Sequence, residues 1–201
     1  MKKTRIIFAT GNEHKLQEIR QILSHSGLEI VSMKEAGLDL DIVENGKTFE
    51  ENALIKARTV CEASGETAMA DDSGLEVDYL NKEPGIYSAR YLGEDTPHEK
   101  KNADIIRRLE GVPDEKRTAR FVCAVACVFP DGRSLTVRET MEGRIAHESR
   151  GTNGFGYDPI FYMEENGCTN GELSPERKNE ISHRGKALRA MKKLLAEQED
   201  M

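Results

Sequence analysis

The chain has 201 residues, of which 37% are hydrophobic, 32% charged and 5% aromatic, with no Trp and a net charge of -7. That length suffices for one well-buried core, or one core with a smaller lobe, and the expectation is a single domain over residues 1–201. The negative balance argues against nonspecific binding to nucleic acid or anionic membrane, and the strand-sized apolar runs leave no membrane span or signal peptide, which implies the cytoplasm by default.

Met1, Lys2 and Lys3 lead directly into a buried first strand at Arg5 to Ala9. Thr10-Gly11-Asn12-Glu13 turns that strand into a helix with Leu16, Ile19, Ile22 and Leu23 on one face and Gly27 as its stop. Thr10 and Glu13 have capping-box spacing. The same spacing at Thr48 and Glu51 opens a second helix that buries Phe49, Ala53, Ala57 and Val60. A third helix is predicted from Thr96 and Glu99, with Pro97 at its first position and Gly111 at its end. Strands are expected at Glu29 to Ser32, Thr67 to Ala70, Leu75 to Leu80, Thr118 to Phe129 and Ser134 to Glu142, with Phe129-Pro130-Asp131-Gly132 as a hairpin joining the last two. A closing helix near Ser182 sets Ala187, Leu188, Met191, Leu194 and Leu195 at helical spacing, and Glu197 to Met201 should fray. The four cysteines, Cys61, Cys123, Cys127 and Cys168, lack metal-ligand spacing and read as reduced core thiols.

The chemistry concentrates in a few segments. Asp71-Asp72-Ser73-Gly74 follows the apolar run Thr67 to Ala70 and is expected to carry a strand into a turn at an active-site edge. Neighbouring side chains of an extended chain point to opposite faces, so the two acids should serve different jobs, one as metal ligand or base and the other in local hydrogen bonding. The turn after the first strand presents N–H groups at a helix N-terminus, with Asn12 and Lys15 nearby, an arrangement that favours anions. Gly151 to Pro159 interleaves glycines with Phe155, Tyr157 and Asp158, which allows close backbone approach and offers a ring, Phe155 or Tyr157, to a flat base. His183 and Arg184 stand in the first turn of the last helix, where cations oppose the helix dipole unless an anion or a carbonyl oxygen lies opposite. Glu44 adds a carboxylate in a turn before the second helix, and His14, His25, His98 and His147 show no partner spacing.

Taken together, Thr10 to Lys15, Ala70 to Leu75, Pro84 to Tyr91, Gly154 to Pro159 and Ser182 to Arg184 resemble, in order, the motifs of the inosine/xanthosine triphosphate pyrophosphatases, the noncanonical purine NTP pyrophosphatase or HAM1 family. The resemblance covers nearly the whole chain. It implies an elongated α/β fold with a long twisted mixed β-sheet and two α/β lobes flanking a nucleotide cleft, assembled as a homodimer. It implies hydrolysis of ITP, dITP and XTP at the α-phosphorus to monophosphate and pyrophosphate, with Mg2+ as cofactor and Mn2+ as a substitute. Asp72 is similar to the family's catalytic acid and metal ligand, and Glu44 to its second metal carboxylate. Thr10, Gly11, Asn12, Glu13, His14, Lys15, Ser73, Phe155, Gly156, Tyr157, Asp158, Lys178, His183 and Arg184 fall on positions that contact the nucleotide, and Lys56 adds a phosphate contact. Arg177 stands where many relatives have Glu. On this reading Phe155 stacks on the base, Asp158 orients it, and donors such as Arg184, His183 or backbone N–H groups meet O6. Two rivals are a nucleotide sensor without turnover and a haloacid dehalogenase-type phosphatase, whose chemistry wants Asp-x-Asp on one strand face rather than adjacent acids.

Overall fold

In the computed structural model, which describes residues 4–199, the elements are β1 (Thr4–Phe8), α1 (Glu13–Ile22), β2 (Leu28–Ser32), α2 (Phe49–Ser64), β3 (Ala68–Val77), α3 (His98–Arg108), β4 (Thr118–Val128), β5 (Ser134–Ile145), β6 (Phe161–Met163), β7 (Cys168–Thr169), α4 (Pro175–Ile181) and α5 (His183–Glu199). The strands form one sheet in the order β2-β1-β3-β4-β5-β6-β7. β1 runs parallel to β2 and β3, whereas β6 is antiparallel to β5 and β7, so the sheet is mixed and the class is α/β. The hairpin between β4 and β5 closes through Phe129 and Arg133 at 3.0 Å, as its Pro-Asp-Gly chemistry leads one to expect.

By internal contacts the chain forms two compact units. One comprises residues up to Asp72, Cys123–Glu139 and the chain from His183, and the other comprises Ser73–Val122 and Thr140–Ser182. Ile6 and Phe8 of β1, Ile19 of α1, Met69 of β3, Val125 of β4 and Leu188 of α5 centre the core of the first. Cys123 and Cys127 lie fully buried on one face of β4 in this core, and burial pushes both thiols up to about 12. The second unit packs Leu75, Ile105, Leu109, Phe121, Ile145 and Phe161, with the rings of Phe121 and Phe161 4.5 Å apart. Its core also holds the buried Arg117, whose guanidinium donates to the carbonyls of Leu109 (2.7 Å), Ile145 (2.8 Å) and Ala146 (2.9 Å). A charge so enclosed is tolerable because three carbonyl dipoles replace its water.

Several expected boundaries move. The two short strands expected on either side of Asp71-Asp72-Ser73-Gly74 are one ten-residue strand, β3, that passes straight through the motif and ends before Leu80. Turn propensity yields here although β1 pairs only with Ala68 and Met69 at the start of β3: β4 lies beside the strand and each acid has side-chain partners. The cap of α1 is Asn12, whose side chain accepts from Lys15 N, while Thr10 Oγ1 accepts from Asn12 N instead of capping the helix. Thr48 caps α2 as expected, but Thr96 does not cap α3: its hydroxyl donates to Leu92 O, Pro97 occupies the cap position, and the helix ends at Arg108 short of Gly111. Likewise α1 ends at Ile22, well before Gly27. β6, β7 and α4 were not expected, although Ser174 capping Arg177 N, with Pro175 next, is a legible helix start. Glu197 to Glu199 belong to α5 rather than fraying, and Met1 to Lys3, Asp200 and Met201 lie outside the described residues.

The glycine-rich segment has a steric origin at Gly151, with φ +81°, where an added Cβ would lie 2.0 Å from the backbone of Gly171. We expect Gly151→Ala to lower unfolding free energy by about 2 kcal/mol or more, measured by urea denaturation, because neither the dihedral nor a backbone neighbour can give way. Gly156→Ala, with φ +66° but nothing nearer than 3.8 Å, should cost only about 1–2 kcal/mol. Equal, negligible losses at both would remove the close approach as the reason for Gly151.

Candidate active site

Asp71 and Asp72, consecutive in β3, point to opposite faces and meet different partners, as strand geometry requires. Asp71 is fully enclosed and receives Lys15 Nζ of α1 at 3.3 Å and the Arg184 guanidinium of α5 at 3.3 Å. Burial alone would raise its pKa, but the charges of Lys15, Arg184 and Lys56 outweigh burial and hold the carboxyl well below the usual range. Arg184 is 2% exposed and also pairs with Glu18 one turn along α1 from Lys15. The cation in the first turn of α5 is thus balanced by the protein's own carboxylates, and its guanidinium is turned onto Asp71 and Glu18. His183 beside it is 5% exposed.

Asp72 faces α2. Its Oδ2 accepts from Asn52 Nδ2 at 3.1 Å, and its Oδ1 lies 3.6 Å from Lys56 Nζ. The same ammonium reaches Glu44 Oε2 at 2.9 Å, so two carboxylates converge on one cation. Burial first, and the nearby Glu44 charge, raise the Asp72 carboxyl above its ordinary value despite the opposing pull of Lys56 and Lys15. Lys56 is raised in turn, since Asp72, Asp71 and Glu44 together overcome its burial. A carboxylate made more basic beside a second acid is the state expected of a proton acceptor or a hard-cation ligand. The donor chemistry fits Mg2+, which takes one or two carboxylates and completes its shell with water and phosphate oxygens. Among the described residues no group of three or more His, Cys, Asp or Glu could hold a metal by itself.

The remaining expected residues divide between the units. Thr10 to Lys15 form the turn and first residues of α1, with Asn12 as the cap. In the second unit Phe155, Asp158 and Lys178 interlock. Lys178 Nζ lies 4.7 Å over the Phe155 ring and 2.7 Å from Asp158 Oδ2, which also accepts from Phe155 N at 2.8 Å. Asn170 Nδ2 donates to the other oxygen at 3.2 Å. Asp158 is 3% exposed, so its carboxylate shapes the loop rather than reaching out to orient a base. Tyr157 is not an available ring: it is 5% exposed and donates to Ser88 O at 2.7 Å. Gly156 carbonyl accepts from Asn102, and Ser73 continues β3. Pro84 to Tyr91 docks on β3 through Ser88, whose hydroxyl accepts from Leu75 N at 2.9 Å. His98 and His147 are not isolated either, since one packs edge-on against Tyr157 and the other pairs with Asp114.

Glu18 and Asn52 received no site role from sequence, and Asp71 only that of the acid left to hydrogen bonding. Glu18 follows Lys15 by three residues on one helix face, and Asn52 precedes Lys56 by four, in a stripe otherwise filled by Phe49, Ala53 and Ala57. A buried Asn inside an apolar helix face is the signal that could have found it.

The Ham1 family model matches residues 6–194. Among curated relatives, a dITP/XTP pyrophosphatase of Bacillus licheniformis is 46% identical over 94% of this chain and 97% of its own, and one from Nitratidesulfovibrio vulgaris is 47% identical over 96% and 97%. The structure of a HAM1 protein from Coxiella burnetii superposes with a TM-score of 0.87 at 40% identity, over 96% of this chain and 98% of that one. The Staphylococcus aureus Ham1 protein gives 0.87 at 39% identity, over 96% and 99%. With the two-acid strand, the capped turn of α1 and the Phe155 loop each found where the motifs lie, the chain belongs to the Ham1 family.

Proposed function

We propose that this protein hydrolyses the noncanonical purine nucleotides ITP, dITP and XTP to monophosphate and pyrophosphate by attack of water at the α-phosphorus. The observation that carries this reading is Asp72, a buried carboxylate made more basic, facing Glu44 across Lys56. Pyrophosphatase relatives of about this identity over nearly the full chain support it. Asp72 takes the proton of the attacking water, and Asn52 holds the carboxylate by its Oδ2. Lys15, Lys56 and the N-terminus of α1 meet phosphate charge. Asp72 and Glu44 would hold Mg2+, or Mn2+ in its place, and the ion would neutralise charge developing on the phosphate oxygens.

Phe155 supplies the ring for the base, with Lys178 against the ring and its own N–H bonded to Asp158. Donors from backbone N–H groups or His183 meet O6, which leaves the amino group of adenine facing donors. Phe155→Ala should weaken ITP binding at least tenfold while free pyrophosphate binding stays within about twofold, since stacking contributes about 1–3 kcal/mol per base. Calorimetry with both ligands checks this, and equal losses would refute the stacking role. The protein acts as one domain, a homodimer in the cytoplasm; one family model spanning both compact units supports the first. Hydrolysis of ITP in 18O-labelled water tests the chemistry: label in the monophosphate means attack at the α-phosphorus, and label in pyrophosphate refutes it.

A further inference from the structure

We infer that Asn52 is the positioning residue that sets the working geometry of both carboxylates, an assignment that rests on the function proposed above. Asn52 is fully buried in α2. Its Oδ1 accepts from the backbone N–H of Gly46 at 2.8 Å, and its Nδ2 donates to Asp72 Oδ2 at 3.1 Å. The oxygen and nitrogen of a carboxamide are set by their partners, and Gly46 N–H can only donate, so the oxygen must face Gly46 and the NH2 must face Asp72. One side chain therefore ties the turn carrying Glu44 to the strand carrying Asp72. It also pins Asp72 Oδ2 against Asn52, with Oδ1 lying toward Lys56. Lys56 lies one turn on along the same helix face, so a single face of α2 presents the fixing amide and the ammonium that both carboxylates share.

Gly46 is fitted to this contact. A Cβ there would lie 2.6 Å from Asn52 Oδ1, 2.8 Å from Glu51 Cβ and 3.0 Å from Asn52 N, so any larger residue displaces the carboxamide without altering a single functional group.

Two variants test the inference. Asn52→Leu keeps the shape of the side chain and removes both the acceptor for Gly46 and the donor to Asp72; Gly46→Ala keeps Asn52 and pushes its side chain aside. Each should lower kcat for ITP by about thirtyfold or more with KM within threefold, because Asn52 is fully buried and Gly46 has no side chain to offer a substrate. Each should also weaken Mn2+ binding, read by electron paramagnetic resonance without nucleotide, by about tenfold, the size typical of lost outer partners. Melting temperatures should stay within a few degrees of the parent. A kcat within threefold of the parent in either folded variant, a loss carried by KM, unchanged Mn2+ affinity, or collapse of both variants would make Asn52 a structural residue only and overturn the inference. Failure of the parent protein to release pyrophosphate would instead overturn the proposed function, and the Mn2+ measurement would still judge Asn52.

Discussion

Asp72→Asn is expected to lower kcat for ITP about a thousandfold while leaving nucleotide binding and the fold in place. General-base catalysis contributes about 10²–10⁴, and an amide of the same shape can still accept from Asn52 but cannot take a proton from water. The stability effect has the opposite sign. A carboxyl whose pKa is raised on folding contributes stability that is complete below its unfolded value and is lost as pH rises through its folded value. Asp72 is raised, by burial first, so its charge is a net cost at neutral pH, and the Asn variant should melt no lower than the parent at pH 7. Loss of rate without loss of stability marks a group kept for function. Undiminished kcat would remove Asp72 from the chemistry and revive a binding module without turnover.

Asp71→Asn should behave in the reverse manner, with stability as the main casualty. The substitution leaves Arg184, 2% exposed, and Lys15 without the carboxylate they share, and breaking a buried pair by removing one partner costs about 3–5 kcal/mol. The pH dependence follows from the direction of the shift. Asp71 is lowered on folding, so its contribution is present above the unfolded carboxylate value, about 3.9, and is lost as pH falls toward the folded one. The gap in urea unfolding free energy between parent and variant should be full at pH 7 and shrink below about pH 4. A gap under about 1 kcal/mol, or one independent of pH, would mean that Asp71 does not anchor the two cations.

These two residues also mark how far the sequence could be read. That adjacent acids on a strand must part to opposite faces followed from backbone geometry alone, and Asp71 and Asp72 do part. Helix faces set by periodicity, such as Phe49, Ala53, Ala57 and Val60 in α2, were legible for the same reason. Elements set by long-range pairing were not. Asp-Ser-Gly reads locally as a turn, and its place beside β4, with the distant partners of Asp71 and Asp72, keeps it extended. Two- and three-residue strands such as β7 and β6 carry too few residues for a period to show. At the site, single charges could be flagged but not paired. Arg184 was suspect because it opposes a helix dipole, yet its partners Asp71 and Glu18 are 113 and 166 residues away. Tyr157 and Asp158 looked like ligand contacts because their loop is rich in glycine, whereas the partners of their polar atoms, Ser88, Lys178 and Asn170, turn both inward.

The central claim, cleavage of noncanonical purine triphosphates at the α-phosphorus, is tested most directly by resolving the products after incubating the protein and Mg2+ with ITP, ATP and GTP in parallel. Inosine monophosphate with pyrophosphate, and ATP and GTP nearly untouched, is the predicted result. Diphosphate with inorganic phosphate, or no turnover of ITP, would contradict it.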